Sequence, residues 1–171
     1  MYKLVADIGN TDIKLCLVNS KFKILKKINF NTSKIKQKNF IKKKIKILIK
    51  NKKIYTTAFF SSVVPTAFNT IKIILKKNFK IKSLEVKKIN FDSLIKCNVN
   101  KKQIGSDRIA NAIGSYYNYK SDCVVLDFGT ATTFDVIIDG VYKGGVIAPG
   151  LSLSLNNLIS KAELLPLFTI K

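Results

Sequence analysis

Apolar and polar positions alternate twice near the start of the chain. Residues 2–8 (YKLVADI) and 12–18 (DIKLCLV) read as two strands joined at Gly9-Asn10-Thr11. Residues 22–30 (FKILKKINF) predict a third. The period then changes. Over residues 35–50, Ile41, Ile45, Leu48 and Ile49 recur at helical spacing among lysines. That pattern predicts a surface helix with a core-facing stripe, in preference to a helix lying on a membrane. Residues 54–60 (IYTTAFF) are rich in strand formers. Pro65 suits the first turn of a helix over 66–78. Residues 81–86 predict a short strand, and 87–104 are irregular and polar. A helix over 107–119 places Ile109, Ala112 and Ile113 on one face. Residues 122–128 (DCVVLDF) read as a buried strand. Residues 132–138 and 141–147 follow as strands about a tight Asp139-Gly140 turn. Beyond the break at Pro149-Gly150, a helix over 151–164 has an apolar stripe of Leu151, Leu155, Leu158 and Ile159.

Two stretches of this pattern match. LVADIGNTDIKLCLV from Leu4 and VVLDFGTATTFDVII from Val124 each run apolar strand, Asp-x-Gly, small hydroxyl or amide residues, then a second strand. Asp7 corresponds to Asp127 and Gly9 to Gly129. A glycine at such a turn lets backbone amides approach a phosphate with no Cβ in the way. Thr11, Thr130 and Thr132 offer hydroxyls to phosphate oxygens. An aspartate at the strand end can hold a cation or its waters beside a polyphosphate. Either turn alone is an ordinary hairpin. The pair in matched strand contexts predicts a nucleotide tail clamped between two related lobes. The implied fold class is α/β, a ribonuclease-H-like (actin-like ATPase) fold of the kind used by acetate kinase, sugar kinase and actin-type phosphotransferases. The first lobe is expected over residues 1–110. Residues 111–171 would begin a second, incomplete lobe.

Composition changes this picture little. Hydrophobic residues make up 47% of the 171, enough for a packed core. No apolar run reaches the roughly 20 residues of a membrane span, and the start shows no signal-peptide pattern. Cys16, Cys97 and Cys123 have no C-x-x-C spacing and histidine is absent. They read as small buried hydrophobes of a reducing cytoplasm, not as a zinc site. The formal charge of +21 is nearly all lysine, mixed with Ile and Asn, the mark of an AT-rich gene. The lysines run along the chain without aromatic platforms and read as solvated faces. No membrane partner is expected, and a nucleic-acid partner is not favoured but stays open.

Against that background the single arginine, Arg108, stands out. Lysine replaces arginine wherever a point charge suffices, but not where a planar fork grips a carboxylate or phosphate. Arg108 closes Gly105-Ser106-Asp107-Arg108 at the entry to the 107–119 helix. Ser106 or Asp107 could simply cap that helix. The chemical alternative gives Arg108 a substrate carboxylate and makes Asp107 the base for a substrate hydroxyl attacking the γ-phosphate of ATP.

The set Asp7-Ile8-Gly9-Asn10-Thr11, Ser61-Ser62-Val63-Val64-Pro65, Gly105 to Arg108, Asp127-Phe128-Gly129-Thr130-Ala131-Thr132-Thr133 and Gly144 to Gly150 resembles type III pantothenate kinase. The resemblance implies ATP-dependent phosphorylation of the 4′-hydroxyl of pantothenate, the first step of coenzyme A biosynthesis. It implies that Asp7, Ile8, Gly9, Asn10, Thr11, Asp12, Ile13 and Lys14 line the ATP phosphates, with Thr130 touching them from the second turn. Gly105, Ser106, Asp107 and Arg108 would bind pantothenate, with Asp107 as catalytic base. Asp127 would ligate a monovalent cation, K+ or NH4+, alongside Mg2+ with the nucleotide. A cytoplasmic homodimer is implied, with the pantothenate site at its interface. Some relatives are described as accessory factors for transcription, so a non-catalytic regulator that binds nucleic acid is the alternative.

The match departs in two places. Where the family often has a tyrosine and a proline before Gly105, this chain has Asn98 and Lys101. The family also continues well beyond Lys171, with a threonine that contacts pantothenate, a glycine-rich motif and much of the second lobe. The faces of the 122–147 strands are therefore expected to be exposed or to pair with another chain. Three origins fit: a shortened product of a decaying genome, a frameshifted or partial reading frame, or a chain completed in trans. An inactive fragment stands beside the two functional readings.

Overall fold

The computed structural model describes residues 1–161. The last residues of the helix expected over 151–164 lie outside that range. The chain divides into two units, Met1–Asn90 with Gln103–Ala110, and Phe91–Lys102 with Asn111–Lys171.

In the first unit, β1 (Tyr2–Ile8), β2 (Asp12–Val18), β3 (Ile24–Asn31), β4 (Ile54–Ser62) and β5 (Lys82–Glu85) form one sheet in the order β3-β2-β1-β4-β5. β1, β2 and β3 are joined antiparallel by short turns. β4 lies parallel to β1, and β5 parallel to β4. Parallel neighbours need long crossovers, and α1 (Lys38–Ile49) and α2 (Pro65–Phe79) supply them. Pro65 opens α2, where its missing amide proton costs nothing. Alternation turns Leu4, Ile8, Ile13, Leu15, Leu17, Ala58 and Phe60 to one sheet face. There they meet Ile41, Ile45 and Leu48 of α1 and Ala67, Phe68, Ile71 and Leu75 of α2, all buried. Each large side chain so buried contributes about 1.5–3 kcal/mol. This core holds the β1–β2 turn in place.

The second unit holds β6 (Lys96–Cys97), β7 (Cys123–Phe128), β8 (Ala131–Ile138) and β9 (Val141–Pro149), in the order β6-β9-β8-β7. α3 (Ser106–Tyr119) opens in the first unit and runs on into the second, and α4 (Leu151–Lys161) follows β9. Asp139 and Gly140 both take positive φ, 54° and 69°, as a two-residue hairpin of this type requires. One sheet face buries Asp135, Ile137 and Tyr142.

The other face overturns one expectation, that β7 is buried, and meets another, that faces of the 122–147 strands are exposed. β7 reads as a buried strand, yet Val124, Leu126 and Phe128 are exposed. Cross-strand register places Leu126 beside Phe134, and Phe134 beside Val146, which is also exposed. Among the described residues no layer covers this face, and α4 buries none of its side chains. β6 falls inside the stretch read as irregular, since two residues carry no alternation to recognise.

The three cysteines are free. Burial pushes the Cys16 thiol up, with Lys27 and Lys14 opposing and Asp7 adding to the rise. Cys16 is therefore held as a neutral thiol, in keeping with a packing role.

Candidate active site

The first Asp-x-Gly turn is built by the β1–β2 register. Asp7 stands opposite Lys14, and Ile8 opposite Ile13. The Gly9 amide donates to the Asp12 carbonyl at 2.9 Å and closes the loop. A Cβ on Gly9 would sit 3.3 Å from that same oxygen, tighter than side chains normally tolerate. Lys14 Nζ approaches the Asp7 carboxylate to 3.8 Å, with both side chains about half exposed. An exposed pair of this kind contributes at most about 1 kcal/mol, so both groups can be redirected to a ligand at little cost.

Thr32, a residue that sequence reasoning missed, fixes this turn from behind. It follows β3 directly and is buried. Its amide donates to the Thr11 carbonyl at 2.8 Å, and its hydroxyl donates to the Gly9 carbonyl at 2.8 Å. The turn's carbonyls are thereby occupied on one side.

The carboxyl ends of β1 and β4 bring in the next motif. Asp7 is in register with Ser61, and Ile8 with Ser62. The Val63 amide continues the pairing, donating to the Ile8 carbonyl at 3.1 Å. Ser62 is a local turn former, its hydroxyl bridging to the Val64 backbone. Ser61 differs. Its hydroxyl oxygen is shielded from solvent and has no hydrogen-bond partner among the described residues. A buried hydroxyl left unmade costs about 1–3 kcal/mol.

Gly105 packs near this point, with a Val63 methyl carbon 3.7 Å from where its Cβ would be. That same Cβ would collide with the Asp107 carboxylate, so Asp107 can fold back only over a glycine. Ser106 opens α3; its buried hydroxyl donates to the Glu85 carboxylate at the end of β5, at 3.1 Å. One Asp107 oxygen accepts the Arg108 amide at 2.8 Å. Asp107 therefore lies in the first turn of α3, where it meets one free amide while staying partly open, and Arg108 beside it is partly open too. Neither Ser106 nor Asp107 is the capping residue before the helix that the sequence suggested. The Asp7 turn, Ser61 and residues 105–108 all belong to the first unit.

The second turn repeats the first with one residue less. Asp127 faces Thr133 and Phe128 faces Thr132. The Gly129 amide donates to the Ala131 carbonyl at 3.0 Å. Thr130 is exposed at the tip, whereas Thr132, in β8, is buried. Asp127 accepts from the Asn111 amide group at 2.8 Å and is otherwise exposed. Gly150, directly after β9, donates its amide to the Thr130 carbonyl at 3.2 Å.

The sheet order, with an Asp-x-Gly turn between β1 and β2 and polar groups at the carboxyl ends of β1 and β4, defines a protein of the actin-like ATPase and sugar kinase fold. Solved structures agree on the fold. An ethanolamine utilization protein, EutJ, from Carboxydothermus hydrogenoformans is similar at a TM-score of 0.55 and 15% identity, over 97% of this chain and 58% of that one. A Ppx/GppA family member from Aquifex aeolicus is similar at 0.53 and 13%, over 94% and 54%. A Campylobacter jejuni protein described as a Baf family transcriptional activator is similar at 0.52 and 22%, over 98% and 68%. These likenesses bear on the fold alone. The family model for type III pantothenate kinase matches residues 3–171, and the chain belongs to that family of ATP-using transferases. A type III pantothenate kinase from Pelagibacter ubique is 52% identical over 98% of this chain and 67% of its own length. One from Fervidobacterium nodosum is 32% identical over 98% and 67%. For one from Endomicrobium trichonymphae, 44% identical, the match covers 65% of this chain and 43% of the relative. The chain thus spans two thirds or less of the length of these relatives.

Proposed function

We propose that the chain phosphorylates the 4′-hydroxyl of pantothenate with ATP, opening coenzyme A biosynthesis. The observation that carries this reading is local. Within one unit, the Asp7 turn and the Gly105–Arg108 motif are linked through β4, by Val63 pairing with Ile8 and packing near Gly105. A phosphate turn and a carboxylate–arginine pair are what a kinase for a hydroxy acid requires.

In this reading Asp7, Ile8, Gly9, Asn10, Thr11, Asp12, Ile13 and Lys14 hold the ATP phosphates, through amides, hydroxyls and the Lys14 charge. Gly105, Ser106, Asp107 and Arg108 bind pantothenate. Arg108 grips its carboxylate, and Asp107 takes the proton of its hydroxyl as that oxygen attacks the γ-phosphate. Thr130 adds a nucleotide contact. Mg2+ keeps waters and binds through one or two carboxylates plus substrate phosphates, and Asp7 is the carboxylate on offer. Asp127, with one oxygen engaged by Asn111, is the candidate ligand for K+ or NH4+, which would neutralise phosphate charge. The reading extends to a cytoplasmic homodimer.

The test is phosphopantothenate formation from ATP, Mg2+, K+ and pantothenate. Asp107→Asn is expected to lower kcat by at least about a hundredfold. Arg108→Lys is expected to raise KM for pantothenate about tenfold or more, because an ammonium cannot replace the fork. Full activity in Asp107→Asn would overturn the assignment of the base.

A further inference from the structure

The positive charge is not spread evenly. Residues 13–84 carry 20 lysines and no aspartate or glutamate, so this stretch supplies +20 of the formal +21. A base-composition bias acts on the whole gene. It raises lysine everywhere, but it does not clear carboxylates from one continuous segment. All of these residues lie in the first unit.

Within this segment Ile47, Tyr55, Phe59, Val63 and Ile73 are also exposed, but one place gathers three exposed large apolar side chains within four residues. At the β2–β3 hairpin, Phe22 is 66% exposed, Ile24 57% and Leu25 45%. Lys21, Lys23, Lys26 and Lys27 interleave with them, and the first four residues of β3 are open on both faces. In α1, by contrast, Ile41, Ile45 and Leu48 are buried, and its exposed Ile47 stands singly among lysines.

Backbone geometry gives an independent sign. The hairpin is closed by the Asn19 amide to the Lys23 carbonyl at 3.1 Å and the Phe22 amide to the Asn19 carbonyl at 3.1 Å. The Asn19 side chain accepts the amides of Lys21 and Lys23. Phe22 sits at φ 59°, in the left-handed region. Turns of this kind place glycine or asparagine there. An aromatic residue at that position costs backbone energy and gains no burial. Lys3 Nζ lies 4.2 Å from its ring centroid. Strain of this kind in an exposed apolar residue points to function.

We propose that the hairpin tip, Lys21 to Lys27, docks on an anionic lipid bilayer. Phe22, Ile24 and Leu25 enter the boundary between headgroups and acyl chains, and Lys21, Lys23 and Lys27 meet the lipid charges. The aliphatic pair decides against nucleic acid. Isoleucine and leucine have nothing to bind on a phosphodiester backbone, and the hairpin has no arginine to read bases. Surface docking needs no spanning helix, and no helix among the described residues is long and apolar enough to cross a membrane.

The test is co-sedimentation of the whole chain with phosphatidylcholine vesicles, alone or with about one third phosphatidylglycerol. Binding is expected only to the anionic vesicles, and is lost at about 0.5 M salt. Phe22→Asn combined with Ile24→Thr and Leu25→Thr keeps every lysine and suits the backbone. It is expected to weaken partition at least about tenfold. Phe22→Asn alone is expected to weaken binding while leaving Tm unchanged or higher, the opposite of a folding defect. Lys21→Gln with Lys23→Gln is expected to weaken binding as well. No binding to anionic vesicles overturns the proposal. So does unaltered binding of the triple variant, or tighter binding to duplex DNA than to the vesicles.

Discussion

The two Asp-x-Gly turns share a plan and differ in how it is held. In each, the residue that follows the third strand donates its amide to the carbonyl of the turn threonine. Thr32 does so to Thr11 at 2.8 Å and Gly150 to Thr130 at 3.2 Å. At the first turn the latch also has a side chain, and its hydroxyl reaches Gly9. At the second, one residue shorter, there is no room for one. A Cβ on Gly150 would collide with the carbonyl oxygens of both Gly129 and Thr130. The supports behind the latches differ too. The first turn rests on a closed apolar core. The second hangs from strands with one open apolar face and, on the other, a buried Asp135. The same turn can therefore be held by packing and a hydroxyl, or by backbone proximity and a polar pair.

The sharpest way to break this comparison is Gly150→Ala. Backbone oxygens cannot retreat as a flexible side chain can, so β9 or the turn must shift. The expected cost is about 2–3 kcal/mol in the second unit, seen as an early loss of amide protection in β7 to β9 by hydrogen exchange. Protection in β1, β2 and β4 should be unchanged. An equal loss in both units would show that the two turns are not supported independently.

Tyr142→Phe comes next. Tyr142 donates to Asp135 at 2.5 Å, with both residues buried. Removing the donor leaves the carboxylate short of a hydrogen bond, at an expected cost of about 1.5–3 kcal/mol. A urea midpoint unchanged from the parent would mean that the pair does not stabilise the fold. In the first unit the matching position of the hairpin is Cys16, a free and partly buried thiol.

Thr32→Val should act more gently. It keeps the shape and the amide bond to Thr11 and removes only the hydroxyl bond to Gly9. About 1 kcal/mol of stability is expected to go. The larger signal should be in nucleotide binding, since the Gly9 peptide is then free to tilt. Isothermal titration with an ATP analogue should show affinity several-fold weaker, while Thr32→Ser keeps the parent value. Equal affinity in Thr32→Val would reduce Thr32 to a packing residue.

Legibility followed the same division. The strand–turn–strand pattern of both hairpins, the α1 stripe and Pro65 at the head of α2 can all be read locally, because alternation, helical period and proline geometry act over a few residues. The Gly105–Arg108 motif was legible through its rare arginine. Thr32 was not, because its partner lies 23 residues away and is brought near only by β2–β3 pairing. Gly150 reads as a chain break until the turn it touches is known. The exposure of Val124, Leu126 and Phe128 contradicts their apolar run but agrees with the expectation, drawn from the family resemblance, that these strand faces are left open.

The smallest expected change in stability is also the most informative about the site. Ser61 is the cross-strand neighbour of Asp7, and its hydroxyl is shielded with no partner among the described residues. Ser61→Ala removes an unmet polar group, so the ligand-free chain should be unchanged or stabilised by up to about 1 kcal/mol. If the hydroxyl is kept to bond a ligand oxygen next to Asp7, the same substitution should weaken binding of an ATP analogue with Mg2+. Stability and affinity would then move in opposite directions, which neither a packing defect nor a neutral surface change produces. Loss of stability together with unchanged affinity would give Ser61 a purely structural role and confine the phosphate site to the β1–β2 turn.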